Sequence, residues 1–386
     1  MASQSRPDTK VLKKIPSSAP FFDDKDIEEI LGEVRKILKS KRLVLGPYNK
    51  EFEDSFSRYI GTKYSVAVSS ATAALEIVLR YIDIRDAEVI VPTNTFIACP
   101  NSVLAAGGKP VFGDVDPQSF CMDIEDVKRK IGSKTKAIML VHLAGLPQPG
   151  IDELKEICSD NNIQLFEDAS HAHGASYGSR KVGSVGMAGC FSLFATKILS
   201  TGTGGILTTD DEKLRNFAEA LRHQGGIGGE GQIEVFDKYG YDWMMSEVTA
   251  AIGISQLNKL DRQLEQRRLI AESYRKHLRP IAGVKPLKPF DGLNSSHWKF
   301  IVVLDDKMDR NKVRATMRQK FMTDAGILYP TLCHLQPLYA ELGYKPGLCP
   351  VGEEVMKHQL TLPINPYMTD DDVQIVCNSL AETINN

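Results

Sequence analysis

The sequence predicts an α/β fold built on a mostly parallel sheet with helices on both faces. Three observations carry that expectation. Between residues 64 and 209, short β-rich runs alternate with helical segments. Several of those runs are almost continuously apolar, as strands covered on both faces require. At 386 residues, with 42% apolar and 25% charged residues, the chain is an ordinary globular sequence too long for one small core.

Residues 1–19 are polar, contain Pro and Ser, and carry Lys10, Lys13 and Lys14; they read as a flexible, solvated tail. A helix is expected over Asp26–Lys39, with Ile27, Ile30, Leu31, Val34 and Leu38 on one face. The strand candidates are YSVAV (64–68), EVIVP (88–92), PVFGDV (110–115), AIMLVHL (137–143), IQLFED (163–168), GCFSLFA (189–195) and GGILTT (204–209). Helical segments such as Ala73–Tyr81 and Asp152–Ser159 lie between them. One long helical stretch, Ser246–His277, is expected to bridge two parts of the molecule. Beyond residue 285 the pattern changes to a strand near Lys299–Leu304, a helix near Asn311–Ala325 and a last helix from Thr369. The expected division is therefore a tail (1–19), a large α/β domain (20–260) and a small α+β C-terminal domain (261–386). The glycine-rich stretch Gln224–Gly240 reads as a mobile lid or a partner-contacting loop.

The formal charge of -2 gives no footprint for nucleic acid or an anionic membrane. No apolar run approaches the roughly 20 residues of a membrane span, and the N-terminus lacks the apolar core of a signal peptide. Seven scattered cysteines without CxxC spacing argue for reduced, buried thiols in a cytoplasmic protein, and against a disulfide framework or a metal site.

The chemistry concentrates between Asp168 and Gly205. Asp168 ends a strand-like run, where open α/β sheets place their ligands. A lone Asp there is more often a turn residue; against a cofactor pyridine its carboxylate would keep the ring nitrogen protonated. Lys197 follows the apolar FSLFA run and precedes STGTGG, so backbone can approach it closely. A lysine desolvated in this way acts as a Schiff-base nucleophile and proton carrier. SSATAAL (69–75) follows a strand and opens a helix, offering free N–H groups to an anion. Ser70 or Thr72 is either an N-cap or a phosphate ligand, and Ser192 favours the latter. Lysine, acid and phosphate-binding serine at this spacing point to pyridoxal phosphate. Phe96 is core or a ring stacked on the cofactor, and His171 a structural histidine or a donor to the cofactor's phenolic oxygen. His334 is a candidate for the substrate mouth. GSVGMAG does not match a dinucleotide fingerprint, and GASYG has no supporting triad order.

From about Pro20 to Pro366 the chain resembles the DegT/DnrJ/EryC1/StrS aminotransferases, the sugar-aminotransferase branch of fold-type I pyridoxal-phosphate enzymes. The landmarks occur in family order: LGPYNKEFEDSFSRYIGTKYSVAVSSATAAL, EVIVPTNTFIA, VHLAGLP, FEDASHAHGASYGSRKVGSVG, CFSLFATKILSTGTGG, GYDWMMSEVTAAIGISQL, YPTLCHLQPLY and LTLPINP. The resemblance implies a seven-stranded, mainly parallel sheet with a small C-terminal domain, and a homodimer with shared active sites. It makes Lys197 the Schiff-base lysine and Asp168 the pyridinium partner. His171 then lies near the phenolic oxygen, Thr72, Ala73 and Ser192 at the phosphate, and Phe96 on the ring. Tyr329 and His334, in YPTLCHLQPLY, fall in its substrate region. Three positions depart from the pattern. Ala71 stands where relatives usually have Gly. Asp242 replaces the Asn that reaches the phosphate from the neighbouring subunit, and Met244 replaces a basic residue.

The function expected is transamination from L-glutamate or L-glutamine to a nucleotide-linked keto sugar, through pyridoxamine phosphate. A keto-cyclitol or amino-dehydroquinate-type acceptor is the alternative within the same chemistry. A non-catalytic cofactor-binding accessory protein is the alternative of another class.

Overall fold

The computed structural model describes residues 14–227 and 235–385. Seven strands form one sheet: β1 (Tyr64–Val68), β2 (Glu88–Pro92), β3 (Lys109–Gly113), β4 (Thr135–Val141), β5 (Gln164–Asp168), β6 (Gly189–Ser192) and β7 (Gly205–Thr209). Their spatial order is β1-β7-β6-β5-β4-β2-β3. Only β7 runs against the others, pairing antiparallel with β1 and β6, while the remaining pairings are parallel. All seven anticipated runs are strands of this sheet. The run 189–195 is cut short at Ser192, because Leu193 turns away to bond Gly204 and Thr201.

Apolar residues on both sides of the strands explain the near-continuous runs. Val89, Val91, Met139 and Phe166 face one core with Ala74 and Ile77 of helix α3 (Ala71–Ile82). The alternate residues Ile90, Ile138, Leu140 and Leu165 face a second core with Phe52 and Phe56 of α2 (Pro47–Ile60). With β1 to β6 all pointing one way, their carboxyl ends share an edge with the start of β7. That edge is where such sheets bind ligands.

Helix α1 (Asp24–Ser40) opens with a reciprocal capping box between Asp23 and Asp26. The face predicted to be apolar is only partly covered: Ile30 and Val34 are half-buried, while Ile27, Leu31 and Leu38 are 43%, 55% and 60% exposed. Helix α2 has no capping side chain of its own at Gly46. The buried carboxylate of Glu247, some 200 positions away, accepts instead from the N–H groups of Gly46, Tyr48 and Asn49, each at 2.9 Å, and from the Asn49 amide. Replacing Glu247 with Ala strands those buried donors and removes a charge favoured at a helix N-terminus. The expected loss is about 3 kcal/mol, read as a lower midpoint in denaturant unfolding, with Glu247→Gln recovering part of it.

The stretch 246–277 is two helices rather than one, Glu247–Asn258 and Leu260–Leu278, broken at Lys259, whose backbone (φ -112, ψ 6) is not helical. The second helix packs on an antiparallel sheet of Val284–Pro286, Phe300–Leu304 and Gln359–Leu362, with helices Arg310–Phe321 and Asp370–Asn385 completing a third core. The solvated tail expected over 1–19 needs correcting at its C-terminal end. Ile15 is 2% exposed, belongs to that third core, and exchanges backbone hydrogen bonds with Met322 and Asp324; an apolar residue with a free edge to pair with leaves water. Residues 1–13 lie outside the described residues, as do 228–234 within the expected lid. The flanks of that stretch, Gly226–Ile227 and Val235–Phe236, pair as an antiparallel ribbon. All seven cysteines are free and buried. No helix among the described residues is long and apolar enough to cross a membrane.

Candidate active site

The carboxyl edge of the sheet encloses a cavity of about 360 Å³. Its floor depends on a glycine. A Cβ on Gly205 would sit 2.2 Å from the Ser70 carbonyl carbon and 2.5 Å from the Ala71 nitrogen, so only glycine lets β7 pass under the start of α3. Through the β6–β7 pairing this contact sets Ser192, opposite Gly205, beside the helix N-terminus. Ser70 is the N-cap, its Oγ accepting from the Ala73 N–H at 3.1 Å. Among the described residues the N–H groups of Ala71 and Thr72 carry no hydrogen bond. They lie at the positive end of a twelve-residue helix, with the exposed Thr72 hydroxyl and Ser192 nearby.

Asp168, at the end of β5, is buried and presents both oxygens to donors. Oδ1 accepts from the Ser170 N–H at 3.0 Å and Oδ2 from the Cys99 thiol at 2.9 Å. Lys197 lies in the turn after β6, its N–H bonded to the Phe194 carbonyl at 2.9 Å. Burial is the main influence on its amine and brings the pKa down to about 8, against the opposing pull of Asp168 and Cys99. His171 is buried, with Nε2 3.1 Å from the Tyr329 hydroxyl and Nδ1 unpartnered among the described residues. Burial, and then the Lys197 charge, hold His171 well below the usual histidine range, so it stays neutral. Its ring stacks on the Trp298 indole at 3.8 Å. Phe96 closes the other side, 59% exposed, its ring centroid 6.4 Å from that of Tyr329.

The structure thus brings Ala71, Thr72, Phe96, Asp168, His171, Ser192, Lys197 and Tyr329 to one cavity. Ala73 stands one layer behind, with its N–H taken by Ser70. Asp242 is exposed, outside this cavity, in a backbone bridge with His223. His334 is corrected: it does not line the mouth. Its ring is fully buried between the Thr93 hydroxyl (2.5 Å) and Glu353 (3.0 Å), so both nitrogens are committed to holding the loop after the β2 strand. Sequence reasoning missed Trp298 and Cys99. The first had a signal, being one of only two tryptophans and lying at the mouth of a predicted strand.

The residues fit a pyridine aldehyde carrying a phosphate. An amine of lowered pKa faces an aldehyde, a carboxylate a ring nitrogen, and an unpaired buried imidazole nitrogen a ring oxygen. Free helix N–H groups with two hydroxyls suit a phosphate, and an open aromatic face suits the ring.

Residues 24–381 match the model of the DegT/DnrJ/EryC1/StrS aminotransferase family. The GDP-perosamine synthase of Vibrio cholerae is 31% identical over 343 residues, 88% of this chain and 92% of that protein. Spr1654 of Streptococcus pneumoniae, solved in its PLP form, superposes with a TM-score of 0.88 at 26% identity, covering 96% of this chain and 98% of its own. DesV of S. venezuelae, solved with a ketimine intermediate, gives a TM-score of 0.88 at 29% identity over 95% of this chain and 98% of its own.

Proposed function

The chain belongs to the DegT/DnrJ/EryC1/StrS aminotransferase family and is a pyridoxal-phosphate-dependent aminotransferase, and from that premise we propose that it moves the amino group of L-glutamate or L-glutamine onto a nucleotide-linked keto sugar. One observation carries the site assignment: a half-buried lysine whose amine has a pKa near 8 and a buried carboxylate face one cavity beside a helix N-terminus with free N–H groups. Pyridoxal phosphate, when bound, supplies an electron sink that lets an amino group pass between two carbonyl compounds. Lys197 would anchor it and, once free, would carry a proton from the donor's Cα to the cofactor in the first half-reaction and from the cofactor to the acceptor carbon in the second. Asp168 holds a proton on the ring nitrogen. His171 donates to the ring oxygen through Nδ1 while Tyr329 holds its Nε2. Thr72, Ser192 and the N–H groups of Ala71 and Thr72 take the phosphate, and Phe96 covers the ring.

The sugar acceptor rests on the likeness to the V. cholerae synthase. We read the molecule as a cytoplasmic homodimer with shared sites, of a large domain 20–260 and a small domain 261–386. The exposed Ile27, Leu31 and Leu38 of α1, with Leu43 and Val44 beyond it, supply apolar surface for a second copy. Asp242, outside its own cavity, is then presented to the neighbour.

The test is the reverse half-reaction. The enzyme loaded with pyridoxamine phosphate is offered nucleotide-linked keto sugars, free keto sugars and keto-cyclitols, and return of the pyridoxal phosphate spectrum is followed. Response to the nucleotide-linked sugars is expected; response to keto-cyclitols alone replaces this acceptor with the alternative one.

A further inference from the structure

Three parts of the site converge on the indole of Trp298, which is buried. The His171 ring lies against it at 3.8 Å and 15°. Its Nε1–H donates to the Thr196 carbonyl, the residue before Lys197, at 2.8 Å. The Lys197 amine stands 4.4 Å from its ring centroid. The segment carrying Trp298 is itself tied down: the Ser296 hydroxyl donates to the His171 carbonyl at 2.9 Å, and the Ser296 and Lys299 N–H groups donate to Gly145 and Ala144. A buried indole N–H needs an acceptor in any case; here the acceptor belongs to the lysine turn and the Lys197 amine lies over the same ring, so one side chain touches both ends of the lysine.

We propose that Trp298 is the positioning residue for Lys197, holding the lysine turn through Thr196 and giving the free amine a resting place beside His171. This rests on the reading of Lys197 as the proton carrier. While the lysine is bonded to the cofactor its place is set covalently; once displaced, its long side chain has several rotamers to choose among, and an indole face stabilises its ammonium form. Two of the other groups around the amine also touch the indole: His171 stacks on it, and the Lys299 amine lies 5.1 Å from its centroid. Asp168 and Cys99 favour its charge, Lys299 opposes it, and His171 and His173 are held neutral beside it. Trp298→Phe keeps an aromatic face for all three groups, so its comparison with Trp298→Leu reports on that face.

The experiment compares wild type, Trp298→Phe and Trp298→Leu as full-length enzymes loaded with pyridoxamine phosphate, where the Lys197 amine is free. Its titration is followed by NMR of ¹³C-dimethylated lysines, with the Lys197 signal assigned by its loss in Lys197→Arg. The midpoint is expected to fall by about half a unit or more in Trp298→Leu and by less in Trp298→Phe. Turnover with α-deuterated donor supplies a second measurement, in which kcat falls about tenfold or more with donor KM little changed and a larger isotope effect on kcat. An unchanged or raised midpoint, or a lowered melting temperature with an unaltered isotope effect, overturns the proposal. Failure here leaves the transaminase reading standing, whereas an active Lys197→Ala enzyme removes both.

Discussion

Lys197→Ala is expected to lower amino transfer by at least about 10⁴-fold, because in the proposed mechanism one side chain supplies both the covalent anchor and the proton carrier. The fold should survive the change: the lysine lies in a turn whose backbone bonds, Lys197 N–H to Phe194 and Thr201 N–H to Leu193, do not involve the side chain. The measurement is single-turnover reaction with the amino donor, alongside borohydride reduction and mass spectrometry of the peptide containing residue 197. Loss of turnover together with loss of the reduced adduct is the expected pair of results; turnover near the wild-type rate would remove Lys197 from its role. The pH dependence has a definite sign. Burial, the largest influence, lowers the amine pKa from the ordinary lysine value to about 8. Only the neutral amine attacks an aldehyde, so covalent attachment should accelerate about tenfold per pH unit below that value and level off above it. A lysine of ordinary pKa would keep accelerating beyond pH 10.

What was legible in the sequence follows the range of the contacts. The seven sheet strands could be read because burial on both faces writes each as a short apolar run. Asp168, Ser192 and Lys197 could be read because each ends or follows such a run, and Ser70 and Thr72 because a helix opens after one. What stayed hidden depends on residues far apart in the chain. Trp298 reaches the lysine turn across 102 positions, and Cys99 reaches Asp168 across 69. His334 reads as a mouth histidine until Thr93 and Glu353 are seen on its two nitrogens. Ile15 has a polar neighbourhood in sequence and an apolar one in space. The break at Lys259 was equally invisible, since the apolar spacing runs through it without a proline or glycine. Local pattern therefore picked out residues that meet in one cavity, and tertiary packing decided how they are braced.

That distinction bears on Asp168→Asn, an isosteric change that tests charge rather than packing. The asparagine oxygen can keep the Ser170 N–H, but the amide NH₂ replaces Oδ2, which now accepts from the Cys99 thiol. A donor then faces the place where a ring N–H has to be accepted, and the ring nitrogen loses its reason to stay protonated. At a separation of about 4 Å and an effective dielectric of about 20, the lost charge–charge attraction is about 4 kcal/mol, or about 10³-fold in rate if felt fully in the transition state. The Lys197 amine loses one of the two groups that favour its charged form, so its titration should move below about 8, in the same direction as the loss of the indole. Cys99→Ala provides the contrast, since it removes only a weak neutral donor from the carboxylate. It should keep single-turnover rates within about threefold of wild type. If Asp168→Asn is no more impaired than Cys99→Ala, the carboxylate is not the partner of the ring nitrogen. If Asp168→Asn alone loses about three orders of magnitude while its melting temperature stays near wild type, the charge itself carries the effect.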